Sequence, residues 1–244
     1  MNKTTLVTIP FSGGNAYSYR DFFSHLPDWI EPMPLELPGH GKRMAEPLLD
    51  EVHAMAEDLA GMMAGQWTSR TAIYGHSLGA LLAYHLARIA IDSGAGRPLH
   101  LFVSGHTGPG SIRRRPPRHD LPRAEFIAML GELGGSVGEV LENEELMELF
   151  EPILRADFAA ADTYRPRETP ALEMPITAMI GRDDDGTPPE ELTWRAATRD
   201  NFMMKVFDGG HFFINDHAKP LARSIGEALN GGADGADGRR MDPR

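Results

Sequence analysis

Ile73-Tyr74-Gly75-His76-Ser77-Leu78-Gly79-Ala80-Leu81-Leu82-Ala83-Tyr84 reads as the end of a strand, a Gly-x-Ser-x-Gly turn and the start of a helix. Residues 71–74 supply β-branched and aromatic side chains. From the turn onward Leu78, Leu81, Leu82 and Leu86 recur at helical spacing. A Gly-x-Ser-x-Gly match alone is weak. Set between strand and helix it reads as a nucleophile elbow, with Ser77 lifted above a sheet. Gly75 and Gly79 lack Cβ atoms, which lets strand and helix close around a strained central residue. The helix N-terminus favours negative charge developing beside the serine.

Outward from this stretch, apolar strand-like segments at 6–9, 33–37, 99–104, 176–180 and 202–207 alternate with helical patterns at 17–26, 51–67 and 189–198. Such alternation predicts an α/β protein, a mostly parallel sheet with helices on both faces. The methionine-rich stripe of Met55, Met62 and Met63 in the second helical pattern reads as core filling. The alternation breaks after Ser104. Gly105–Gly110 is loop-like, Arg113-Arg114-Arg115-Pro116-Pro117-Arg118 is a basic, proline-stiffened run, and helical segments follow at 123–133, 137–141 and 144–164. Pro152 is expected to kink or divide the last of them. A helical insertion of this kind, about 111–170, is expected to act as a lid over the sheet's carboxyl edge. The domain is expected to span 1–230. The Gly, Ala, Asp and Arg tail from 231 to 244 is expected to be disordered.

Composition removes several function classes. The 244 residues are 41% hydrophobic and 24% charged with a formal charge of −11, ordinary for one soluble domain and unsuited to nucleic acid. No cysteine is present, so neither thiolate catalysis nor a Cys-based metal site is possible. The ten histidines are scattered, and a metal site is not expected. No apolar run approaches a membrane span. The first residues lack the basic start and apolar run of a signal peptide, which makes a cytoplasmic location the expectation.

Three loops at strand ends carry the chemistry. After the first strand come Pro10-Phe11-Ser12-Gly13-Gly14, without the Gly-Lys-Ser/Thr of a P-loop or the spacing of a dinucleotide turn. Ser77 follows a middle strand. Gly181-Arg182-Asp183-Asp184-Asp185-Gly186 and Asp208-Gly209-Gly210-His211 follow the last two. Serine, then acid, then histidine is the chain order of an α/β-hydrolase triad. A serine hydroxyl needs a neutral imidazole to take its proton, and that imidazole needs a carboxylate to hold its tautomer. His211 is therefore the predicted base. Asp184, three residues past Gly181, is the predicted acid, with Asp183 and Asp185 as alternatives. The acids lack the alternating spacing and terminal Glu of an EF-hand. Backbone N–H groups of Leu78 and Phe11 are the predicted oxyanion donors, with Ser12 as the alternative to Phe11. His40 and Arg43, in Pro38-Gly39-His40-Gly41-Lys42-Arg43, read as structural loop residues near the rim.

These residues resemble the type II thioesterases that accompany non-ribosomal peptide and polyketide synthases. The resemblance runs from Leu6 to about Leu229. It rests on Pro10-Phe11-Ser12-Gly13-Gly14, Leu37-Pro38-Gly39 with Arg43, the elbow and Gly209-Gly210-His211-Phe212-Phe213. Its most specific part is the insertion: Asp120-Leu121-Pro122, Leu133-Gly134-Gly135, and Pro152-Ile153-Leu154-Arg155-Ala156-Asp157-Phe158 with Tyr164. Ser12 departs from the usual Ala, and Gly41-Lys42 from the commoner residues. The resemblance implies a stand-alone, monomeric editing enzyme, without a cofactor of its own. It would hydrolyse stalled acyl groups from the phosphopantetheine arm of acyl or peptidyl carrier domains, with Arg113–Arg118 as a docking patch for an acidic carrier. A carboxylesterase or lipase acting on free esters or acyl-CoA is the alternative enzyme, and a non-catalytic binding subunit the alternative class.

Overall fold

The computed structural model describes residues 3–112, 116–134, 141, 143–189 and 192–231. Six strands, β1 (Thr4–Ile9), β2 (Ile30–Pro34), β3 (Thr71–His76), β4 (Leu101–Ser104), β5 (Ile176–Gly181) and β6 (Phe202–Phe207), form one sheet in the order β2-β1-β3-β4-β5-β6. All five pairings are parallel. The helices on described residues include α1 (Arg20–Ser24), α2 (Val52–Met62), α3 (Leu78–Asp92), α4 (Arg123–Leu133), α5 (Glu144–Thr163), α6 (Phe213–Asp216) and α7 (Ala218–Gly231).

Parallel strands covered on both faces are apolar throughout, and their side chains alternate between the two layers. Val7, Ile73, Leu101 and Val103 face a core shared with α2 and α3. Leu6, Ala72, Tyr74 and Phe102 face the other, shared with α1, α6 and α7. A third, smaller cluster of Phe126, Leu130, Leu154 and Phe158 belongs to α4 and α5, between β4 and β5 in the chain. Arg155 and Arg118 lie over the Phe126 and Phe158 rings, each 4.4 Å from the ring centre.

Several elements differ from their expected bounds. The strand expected at 33–37 is Ile30–Pro34. Leu35 and Leu37 are buried beyond the strand's end, and that burial imitates strand alternation. Pro32 and Pro34 fit because β2 is an edge strand, where a missing N–H is tolerated. Within the helix expected at 189–198, the described residues 192–198 hold a 3-10 turn, Trp194–Ala197, anchored by the buried Trp194 indole donating to the His106 carbonyl at 2.7 Å. Pro152 does not divide α5, which runs unbroken from its Asn143 cap, whose side chain accepts from Leu146 N at 3.2 Å. The piece expected at 137–141 and the tail beyond Gly231 lie outside the described residues, except for Leu141.

The order of the sheet positions the site. From β1 the chain leaves toward β2 on one side, while β3 and β4 lie on the other, so the crevice above β1 and β3 is a topological switch point. Ile9 pairs with Gly75. Phe11 and Ser77, each two residues further on, line the same cavity.

Candidate active site

Ser77 has φ 56° and ψ −121°, and no other non-glycine among the described residues has positive φ. Its neighbours explain how the strain is held. A Cβ on Gly75 would overlap the Gly79 carbonyl, and one on Gly79 would overlap the carbonyls of Ile9 and Pro10. The backbone of Ser77 is fixed to β4 by its N–H donating to Ser104 O at 2.8 Å. Strand, turn and helix are thus pressed into contact, and α3 begins beneath the hydroxyl.

His211 stands between the other two side chains. Its Nε2 is 3.0 Å from Ser77 Oγ and its Nδ1 is 2.9 Å from Asp184 Oδ2. The loops that carry acid and histidine are laced together. The Asp183 N–H donates to Gly209 O at 2.9 Å, and only a glycine at 181 leaves room for the Gly209 and Gly210 carbonyls. Asp184 is buried, whereas Asp183 and Asp185 are exposed. Its second oxygen accepts the Gly186 N–H at 3.0 Å. Burial opposes ionisation of Asp184, but the hydrogen bond and charge of His211 prevail and hold its pKa below the ordinary carboxylate value. The carboxylate is therefore charged at neutral pH.

The first loop has two N–H groups already engaged. Gly13 N–H donates to Asp157 Oδ2 at 2.7 Å, and Gly14 N–H to Phe11 O at 2.8 Å. That leaves Phe11 and Ser12 as the loop's candidate donors, and both residues line the same cavity as Ser77. A cavity of about 240 Å³ opens beside Ser77 and His211 and extends between this loop and the insertion, lined there by Leu130, Leu133, Phe150, Leu154 and Phe158. Arg118 lines it as well, so the cavity joins the polar Ser77 and His211 to a mainly apolar wall. Among the described residues no group of three or more His, Cys, Asp or Glu side chains could hold a metal ion, and no helix is long and apolar enough to cross a membrane.

The family model for the thioesterase domain matches residues 4–229. The chain belongs to the thioesterase domain family. It is similar to thioesterase PikA5 of Streptomyces venezuelae, 34% identical over 226 residues that cover 92% of this chain and 80% of the relative. Among solved structures it is similar to RedJ, a thioesterase of the prodiginine pathway in Streptomyces coelicolor, with a TM-score of 0.86, 32% identity and coverage of 92% and 90%. It is also similar to BorB, a type II thioesterase from the borrelidin cluster, with a TM-score of 0.86, 32% identity and coverage of 93% of both chains. The thioesterase is a hydrolase of thioesters on an α/β-hydrolase scaffold.

Two residues of the thioesterase's site region carry more than the sequence assigned them. His76, inside the elbow motif, is buried with its ring 5.0 Å from that of His211, and its Nδ1 meets Ser104 Oγ at 2.9 Å. Burial, with the nearby His211, keeps its pKa well below the ordinary value, so it packs against His211 as a neutral ring. Asp157, in α5, is fully buried and bonds both Gly13 and His40. Its sequence signal is an acid on the apolar stripe of Ile153, Leu154 and Phe158. Arg43 does what a structural rim residue does, binding Asp58 and the Glu36 carbonyl. Arg118 is not a free surface cation: its guanidinium meets Asp162 Oδ1 at 2.7 and 2.9 Å. Arg113, Arg114 and Arg115 lie outside the described residues.

Proposed function

We propose that this thioesterase releases acyl groups from the phosphopantetheine thioester of carrier domains in a non-ribosomal peptide or polyketide system, acting as a separate editing enzyme. The reading is supported above all by one observation, the continuous Ser77–His211–Asp184 hydrogen-bond chain opening into the apolar cavity. The similarity to PikA5 and to the type II thioesterase BorB supports the carrier-bound substrate.

In the proposed cycle Ser77 Oγ attacks the thioester carbon and passes its proton to His211 Nε2. Asp184 holds Nδ1–H and stabilises the imidazolium. The oxyanion takes hydrogen bonds from the N–H groups of Leu78 and Phe11, with Ser12 as the alternative to Phe11. Collapse expels the carrier's sulfur, which takes the proton from His211. Water then gives its proton to His211 and attacks the acyl-serine carbon; collapse breaks the bond to Ser77 Oγ, which takes the proton back from His211 as the carboxylic acid leaves. The insertion, 111–170, serves as a lid whose apolar side chains receive the acyl chain.

Carrier domain loaded with acyl groups of several lengths, incubated with the enzyme and followed by mass, tests this directly. Loss of the acyl mass with wild type and its persistence with Ser77→Ala is the expected result. Rapid turnover of simple esters or acyl-CoA with an untouched acyl-carrier would replace the carrier assignment with that of a free-ester hydrolase.

A further inference from the structure

The loop proposed to hold the oxyanion is not supported by the sheet alone. Its Gly13 N–H points at α5, where Asp157 Oδ2 accepts it at 2.7 Å. The same oxygen meets His40 Nε2 at 3.1 Å, and His40 Nδ1 meets the Pro38 carbonyl at 2.9 Å. Both side chains are buried. One carboxylate oxygen thus joins three segments: the loop after β1, the loop after β2 and the insertion helix. Leu154, one turn before Asp157, fills the space that a Cβ on Gly13 would need, and Gly13 has φ +74°. The loop and α5 fit against each other through both a hydrogen bond and a close apolar contact.

An apolar side chain at position 157 would bury the same face of α5 without desolvating a charge. Only an acceptor can hold an N–H that projects from the loop. We propose that Asp157 is a positioning residue: by holding the Gly13 N–H and the His40 ring together, it sets the Phe11–Gly14 loop against α5 and so places the oxyanion donor for Ser77 chemistry. The inference rests on the reading of that loop as the oxyanion loop.

The pairing has a defined protonation. Both ring nitrogens of His40 face acceptors, a carbonyl and a carboxylate, and only the imidazolium donates to both. The groups facing the ring are Asp157 from α5, the Pro38 carbonyl, and the Glu36 carboxylate, which itself accepts the N–H groups of Ala16 and Lys42. Burial opposes the charge on His40, but the Asp157 hydrogen bond and charge, aided by Pro38 and Glu36, leave its pKa above the ordinary histidine value. Raising the pH strips one of the two ring hydrogen bonds and loosens the joint.

The test compares Asp157→Ala, Asp157→Asn and His40→Gln with wild type on a p-nitrophenyl acyl ester from pH 5.5 to 9.5, with melting curves to establish folding. That ester needs only the serine site, so an enzyme that cleaves it but leaves acyl-carrier intact overturns the carrier assignment and still reports on Asp157. Asp157→Ala should lower kcat by about 10- to 10²-fold while KM moves less than about threefold. Asp157→Asn should recover most of that loss, because an amide oxygen accepts the Gly13 N–H. Wild-type kcat should fall on the alkaline side, and His40→Gln should flatten that limb. Hydrogen exchange across residues 11–14 reads the same joint without turnover and should quicken in Asp157→Ala. If Asp157→Ala does not fold, Asp157→Asn and His40→Gln carry the comparison, the first near wild type and the second faster in exchange at 11–14. A folded Asp157→Ala with wild-type kcat and unchanged exchange, or an alkaline limb unaltered in His40→Gln, overturns the proposal.

Discussion

Replacing Gly79 by alanine puts a methyl group where the end of β1 now lies. The new Cβ would stand 2.5 Å from the Pro10 carbonyl oxygen, inside the 3.0 Å that real Cβ atoms keep, and it would overlap the Ile9 carbonyl as well. Both obstacles are backbone, so no side chain can swing aside. The Pro10 carbonyl belongs to the same peptide unit as the Phe11 N–H, so a shift that relieves the overlap moves the proposed oxyanion donor. Overpacking of this kind costs about 1–3 kcal/mol, which at roughly 2–4 °C per kcal/mol lowers the melting temperature by about 2–12 °C. Misplacing a donor by a fraction of an ångström should lower kcat by about 10- to 10³-fold. Gly61→Ala is the matched control. It lies in α2 with nothing within 4 Å of the added methyl, and should stabilise the protein by about 0.4–1 kcal/mol without altering kcat. Thermal melting and ester hydrolysis on both variants measure the two effects. A Gly79→Ala enzyme with wild-type melting temperature and kcat would refute the packing that forms the elbow.

Asp184→Asn should cost about 10⁴-fold in kcat, whereas Asp183→Asn and Asp185→Asn, both exposed, should stay near wild type; steady-state kinetics on the three variants separates them. Because the folded pKa of Asp184 is depressed, its contribution to stability is present above the ordinary carboxylate pKa and is lost as pH falls through the lower folded value. The melting gap between wild type and Asp184→Asn should therefore narrow in acid. His40 has the opposite sign. Its folded pKa is raised, so its stabilisation is complete below about pH 6.5 and fades as pH climbs through the folded value, and the melting gap to His40→Gln should shrink toward alkaline pH. Asn143→Ala removes the cap of α5 and should destabilise the protein by about 1 kcal/mol, read as a lower urea midpoint.

Strand identity was legible because buried parallel strands are short apolar runs, as β1, β3, β4 and β5 are, and β6, a half-exposed edge strand, still keeps a largely apolar sequence close to where the hydropathy places it. What failed was local reading where tertiary contacts override pattern. Leu35 and Leu37 are core residues on irregular backbone, and the prolines of β2 concealed an edge strand. Trp194 gives an apolar signal that a buried 3-10 turn satisfies as well as a helix does. At the site, Ser77, Asp184 and His211 stand out in sequence because each follows a strand and each residue type has a chemical reason to be there. Their spacing along the chain, 134 residues between Ser77 and His211, becomes a 3.0 Å contact only through the sheet order. Asp157 is different. Its partners, Gly13 and His40, are 144 and 117 residues away, and nothing local in the sequence pairs them.

The most direct test of the account is the mass of an acyl-loaded carrier domain over time with wild type, Ser77→Ala and Asp184→Asn. Release of the acyl group by wild type, none by Ser77→Ala and release slowed by about 10⁴-fold with Asp184→Asn is the predicted result. Acyl-carrier left intact by wild type, or cleaved equally well by Ser77→Ala, would contradict it.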